Sequence, residues 1–196
     1  MDIAIKGNSK MGKHVYIFNI PAKKTCTPTS WCLKGKDGKP ACYALRNNFL
    51  LPNAISSAEE RYIQSQSDSF IEEMTNFIKK RKVKYFRIHS SGDFYSEVYI
   101  NKWIEIAKNC SETKFRSSTH RRDLIHKIEE LNSLPNVIVR ESLDKDIEKP
   151  SSELNFSALA SLDIVKKESS YHCLNSCEKC GHYCWEHREN INFDEH

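Results

Sequence analysis

Short apolar runs alternate with amphipathic stretches along most of this chain, and that alternation limits its fold more than any other feature. Residues 15–20 (VYIFNI) read as a strand that ends before Pro21. Residues 54–80 read as one long helix, with Ile63, Phe70, Ile71, Met74, Phe77 and Ile78 at three- and four-residue steps. Residues 85–88 read as a strand and 97–109 as a helix with Ile100, Trp103, Ile104 and Ala107 on one face. A strand over 115–118, a helix over 122–132, a strand over 137–139 and one more within 156–164 continue the series. Such alternation implies βαβ units and a mainly parallel sheet. With 196 residues the chain is short for a full eightfold barrel, so the expected fold is α/β, an open or partial (βα) barrel.

Two regions depart from the pattern. Residues 21–53 read as a polar loop punctuated by Gly35, Gly38, Pro40 and Pro52. Residues 171–196 are dense in Cys and His and read as a Cys-rich metal-binding tail packed on the barrel-like domain of residues 1–170. The N-terminus lacks the apolar core of a secretory signal, and no run is long and apolar enough to span a membrane. The expectation is a cytoplasmic protein of its host cell with no membrane partner.

In a reducing compartment eight cysteines point to metal or redox chemistry rather than disulfides. Cys26, Cys32 and Cys42 share the 21–53 loop. Three thiolates suit a [4Fe–4S] cluster with one iron open, or part of a zinc site completed by a histidine. Lys23, Lys24, Lys34, Lys36 and Lys39 lie around them, and nearby positive charge favours thiolates. Cys173, Cys177, Cys180 and Cys184 crowd the tail. Four thiols can wrap one centre, and a single C-x2-C step favours iron–sulfur over paired zinc knuckles. Gly181 allows a turn around the centre, and His172, His182 and His187 are substitute ligands. Cys110, alone at a helix end, reads as a small buried apolar residue.

Polar groups also mark the ends of three successive strands, where parallel sheets build their sites. Ser90, Ser91, Gly92 and Asp93 follow the strand at 85–88 and could hold a polar ligand, although Ser and Asp are also ordinary helix caps. Arg116 opens a polar, cationic stretch through Arg122, and Arg140 ends the next strand with Glu141 and Ser142. Guanidinium groups there suit a carboxylate or phosphate, so all three are expected to share one rim. The net charge of +4 leans only weakly towards anionic partners. The basic run Lys79, Lys80, Arg81, Lys82 reads as a solvated helix end.

Three segments together carry a resemblance: TCTPTSWCLKGKDGKPACYA at 25–44, RIHSSGDFYSEVYINKWIEIAK at 87–108, and CLNSCEKCGHYCW with INFDEH in the tail. In that order they resemble phage and plasmid proteins named after mycobacteriophage gene product 88. A more distant likeness is to radical S-adenosylmethionine enzymes. These have a partial (βα) barrel, three cysteines after the first strand and a Gly-Gly-Glu-like motif ending the second. Cys26, Cys32 and Cys42 match the first place here, and Ser91-Gly92-Asp93 the second. The likeness implies that the cluster's open iron and this motif hold S-adenosylmethionine. The spacing of the three cysteines is looser than the family's C-x3-C-x2-C, which Cys173, Cys177 and Cys180 reproduce, but with almost no chain after them.

The expected function is an iron–sulfur protein of mobile-element type, in one form a radical S-adenosylmethionine-like enzyme. In that form Cys26, Cys32 and Cys42 hold the reactive cluster, and Ser90, Ser91, Gly92, Asp93, Arg116 and Arg140 bind the cofactor or an anionic group. The tail cluster is then auxiliary. The alternative is a non-enzymatic iron–sulfur or zinc protein that binds nucleic acid or a host protein.

Overall fold

The computed structural model describes residues 3–35 and 38–195, so Lys36 and His196 lie outside the described residues. Eight strands form one sheet: β1 (Ile5–Lys6), β2 (Val15–Ile17), β3 (Tyr85–Arg87), β4 (Lys114–Thr119), β5 (Val137–Leu143), β6 (Phe156–Leu159), β7 (Tyr171–His172) and β8 (Ile191–Phe193). Their spatial order is β1-β2-β3-β4-β5-β6-β8-β7. Among the described residues only the β1–β2 pair is antiparallel. The sheet is open and does not close into a barrel.

The strand alternation decides what covers each face. Phe18, Phe86, Phe115, Val137 and Val139 pack with Phe70, Met74, Ile100, Trp103 and Ile128 in the main core. The last five come from the helices α4 (Phe70–Arg81), α5 (Glu97–Asn109) and α6 (Ile125–Asn132). Val15, Ile17 and Tyr85, one residue out of phase, pack instead with Cys184, Trp185 and Ile191 of the tail. The helices cover one face, and the Cys-rich tail lies on the other.

The 21–53 segment is less of a loop than its composition implies. It carries α1 (Ala22–Thr25), α2 (Ser30–Lys34) and 3₁₀ turns at Tyr43–Leu45 and Asn47–Leu50. The single helix expected over 54–80 is two, α3 (Pro52–Gln66) and α4. The break falls at Ser67-Asp68-Ser69, where the Ser69 N–H donates to Ser67 Oγ instead of continuing the helical ladder. The basic run does end α4, its last turn holding Lys79, Lys80 and Arg81.

Further along, the strand expected within 156–164 is β6, and Ile164 falls in the following α7 (Asp163–Lys167). The tail adds α8 (Tyr183–Glu186) and two strands, with β8 hydrogen-bonded between β6 and β7. No helix among the described residues is long and apolar enough to cross a membrane.

Candidate metal centres

The N-terminal cysteines stand at the carboxyl ends of the parallel strands. Pro21 opens α1, and Cys26 caps its end by donating to Ala22 O at 2.9 Å. Thr29 caps α2 by accepting from Cys32 N at 3.1 Å, and Cys42 N reaches back to Cys32 O at 3.2 Å. These local bonds fold the segment so that all three thiols face one region. Burial, then Asp93 and the Cys42 and Cys32 thiols, push the Cys26 thiol far up. Burial also raises Cys32 and Cys42. Such thiols hold their protons until a cation compensates the thiolate charge, so the donor set fits a thiophilic metal.

The segment after β3 locks against this region. Asn19 Oδ1 accepts from Ser90 N at 2.9 Å and Ser91 N at 3.0 Å, and Ser91 Oγ donates to Ile20 O at 3.0 Å. Gly92 sits at φ +87°, where a Cβ would lie 2.4 Å from Ile20 Cγ1. Asp93 is 3% exposed, and its carboxylate accepts from Phe94 N (2.8 Å), Thr119 Oγ1 (2.7 Å) and His120 N (2.9 Å). Burial raises its pKa against those three bonds. Ser91 and Asp93 are therefore engaged within the protein. Ser90 Oγ is the group of this motif that is buried without a partner among the described residues.

The arginines stand elsewhere. Register pairs Arg87 with Arg116 and Ser118 with Arg140, so the three guanidinium-bearing residues share the tail-covered face. Arg116 lies 5.0 Å over the Trp185 ring. Arg140, 1% exposed, donates to the carbonyls of Cys184 (3.0 Å), His187 (2.6 Å) and Glu189 (2.7 Å). The structure thus groups Ser90, Ser91, Gly92 and Asp93 with the N-terminal cysteines, and Arg116 and Arg140 with the C-terminal ones. The rest of the cationic stretch is paired internally, Arg121 with Asp123 at 2.7 Å and Arg122 with Glu141 at 2.6 Å.

The tail's own group is held by backbone bonds within the tail and to the N-terminal segment. Cys177 N donates to Lys10 O at 2.8 Å, His182 N to Cys177 O at 2.7 Å, and Cys173 N to Asn192 O at 2.8 Å. Gly181 turns at φ +62° between Cys180 and Cys184. Burial pushes the Cys177 thiol up to about 11; Arg116 opposes the rise, and Cys180, Cys184 and Cys173 add to it. The four thiols thus feel one another's charge, and cationic side chains lie beneath them. Their chemistry also fits a thiophilic metal. Cys110, by contrast, is buried in the helix-side core.

Several neighbours escaped the sequence reading. Arg87 joins the two regions, donating to Tyr43 Oη at 2.9 Å beside Cys42 and reaching Met11 Sδ at 3.8 Å on the tail face. Tyr43 Oη donates in turn to Ser90 O at 2.7 Å. Asp144, just past β5, lies 3.7 Å from Cys32 Sγ. The rule that sites gather at strand ends could have found Asp144; nothing local marks Arg87.

No curated protein and no solved structure matches the chain. The gene product 88 family matches residues 3–170, a span that includes Cys26, Cys32, Cys42 and the Ser90–Asp93 motif and ends just before Cys173. A match over most of the length, across a span that contains the early cysteines and the GDFYS segment, places this chain in the gene product 88 family.

Proposed function

We propose that the chain is an iron–sulfur protein with two thiolate centres, one held by Cys26, Cys32 and Cys42 and one by Cys173, Cys177, Cys180 and Cys184. The observation that carries this reading is the gathering of three half-buried thiols at the carboxyl edge of the parallel strands, beside the buried Asp93 carboxylate. Cys26, Cys32 and Cys42 would hold a [4Fe–4S] group by three thiolates, and that group would supply one-electron chemistry at the rim. The chain's own part is positioning. Asn19 and Tyr43 fix the Ser90–Asp93 turn, and Ser90 Oγ offers a free buried hydroxyl to a polar ligand. Arg87, Arg116 and Arg140 place positive charge under the tail thiolates.

In its enzymatic form the protein is radical S-adenosylmethionine-like, with the tail centre auxiliary. The internal engagement of Ser91 and Asp93 leaves Ser90 as the chief candidate contact for that cofactor.

Anaerobic purification with an absorption spectrum and iron, sulfide and zinc analysis tests the reading. A brown protein with about eight irons and eight sulfides supports two [4Fe–4S] groups. A colourless protein containing zinc refutes it. S-adenosylmethionine cleavage by the reduced protein then tests the enzymatic form. No cleavage with both centres intact leaves a non-enzymatic iron–sulfur protein.

A further inference from the structure

One set of donors at the rim is not all thiolate. Cys32 Sγ, a ring nitrogen of His120 and a carboxylate oxygen of Asp144 all lie within 4.8 Å of one another. Asp144 Oδ2 is 3.7 Å from Cys32 Sγ and 3.5 Å from His120 Nε2. A tetrahedral ion with bonds of about 2.3 Å to sulfur and about 2.0–2.1 Å to nitrogen and oxygen separates such donors by roughly 3.3–3.5 Å. The two separations from Asp144 Oδ2 therefore stand within a few tenths of an ångström of a single-ion shell, and the third pair lies within 4.8 Å.

Two independent features point the same way. His120 Nε2 is buried with no aligned hydrogen-bond partner among the described residues, although the Asp144 carboxylate lies 3.5 Å away. A ring nitrogen near a carboxylate but misaligned for a hydrogen bond is well placed to share a cation with it. The donors are also held in advance. Asp144 Oδ1 accepts from Asp146 N at 2.9 Å and Ile147 N at 3.1 Å, and Thr29 Oγ1 donates to Asp144 Oδ2 at 2.6 Å. Thr29 Oγ1 also accepts from Cys32 N, and His120 N is tied to Asp93. Such outer contacts orient ligands before an ion arrives. The donors come from α2 and from the ends of the neighbouring strands β4 and β5, and the His120 side chain keeps 23% of its surface exposed, which leaves a way in.

We propose that Cys32, His120 and Asp144 form a site for one divalent ion of the zinc class, with a fourth position open at the rim. Thiolate, imidazole and carboxylate together suit zinc. The inference goes beyond the iron–sulfur reading and does not rest on it. Cys32 is common to both donor sets, so this ion and a three-thiol cluster exclude each other. The ion occupies chains in which no cluster has been assembled.

The test is titration of metal-stripped, anaerobic full-length protein with Zn²⁺, and with Co²⁺ as a coloured substitute, counting bound ions. The four tail thiols should take about one ion and this site about one more. The second ion should persist in the Cys26→Ala/Cys42→Ala chain and bind at least ~10-fold more weakly in His120→Ala and Asp144→Asn. Asp144 also caps its own loop, so His120→Ala decides, with His120→Gln as the bulk-preserving partner and circular dichroism confirming the fold. Loss of the second ion in Cys26→Ala/Cys42→Ala with retention in both His120 variants overturns the proposal, as does no second ion in any chain. Iron and sulfide contents of separately purified protein report on the cluster reading, so the two can fail independently.

Discussion

Replacing Arg140 with methionine should release the tail from the sheet. The guanidinium donates to three carbonyls of the tail, those of Cys184, His187 and Glu189, from a position 1% exposed to solvent. Hydrogen bonds from a charged donor are worth about 1.5–3 kcal/mol each, or about 4.5–9 kcal/mol for three. Burying the guanidinium costs part of that gain. Burial is the leading cause that lowers the Arg140 pKa from 12.5 to about 10, which corresponds to about 3 kcal/mol. The net loss in Arg140→Met is then about 1–6 kcal/mol, centred near 3, in the range found for breaking buried charged networks. It should appear first as local opening. Hydrogen exchange at Cys173 N and His187 N, both bonded within the tail fold, should quicken before global unfolding in urea shows a lower midpoint. Arg116→Met is the control. Its guanidinium stacks on Trp185 and its Nε has no hydrogen-bond partner among the described residues, so its loss should cost about 1 kcal/mol. If Arg140→Met stays within about 0.5 kcal/mol of the parent with unchanged tail exchange, the clamp is refuted.

Three other outcomes are expected. His89 is buried against Tyr99 Oη at 2.9 Å, and burial, then Arg87, lower its pKa from 6.5 to about 3. Below about 6.5 the unfolded chain binds a proton that the folded chain refuses until about pH 3, so stability should fall as acid is added across that window, by on the order of 5 kcal/mol in all. Urea midpoints from pH 7 to pH 3 measure this, and an unchanged acid slope in His89→Asn would remove His89 as the cause. Gly92→Ala should lower the melting temperature by an amount equivalent to about 2–4 kcal/mol, because φ +87° disfavours a side chain and the new Cβ would meet Ile20 Cγ1 at 2.4 Å and Ile20 O at 2.8 Å; a melting temperature equal to the parent's would show that the turn can relax. Cys177→Ala should lower metal content and solubility far more than Cys110→Ala, since Cys177 lies among the tail thiols and Cys110 in the helix-side core; equal metal loss in the two variants would undo that division.

Much of the scaffold was legible before any coordinates. Helix α5 falls where the spacing of Ile100, Trp103, Ile104 and Ala107 put it, and β3, β4 and β5 fall on the apolar runs. These features depend on side chains a few residues apart, so the periodicity of contiguous residues records them. Where the record was weak, a different force prevailed. The Ser67–Ser69 hydroxyls interrupted a helix whose apolar steps continue across them, and the Cys and His of the tail hid the short strands β7 and β8.

That the cysteines fall in two groups along the chain belongs with the legible part, because it is read from spacing alone. What surrounds them does not. Arg140 reads as a strand-end cation suited to an external anion, and only the pairing of β8 beyond β6, with the tail folded back over the same sheet face, brings the three carbonyls that occupy it. Asp144 reaches Cys32 across 112 positions of sequence, because β2 to β5 align in parallel and bring their carboxyl ends to one rim. By itself the sequence determined the repeating strands and helices and the spacing that sets the cysteines in two groups, since both are read from neighbours along the chain. The tertiary structure decided what each charged group faces, since that depends on which distant segments the sheet and its covering tail bring into contact.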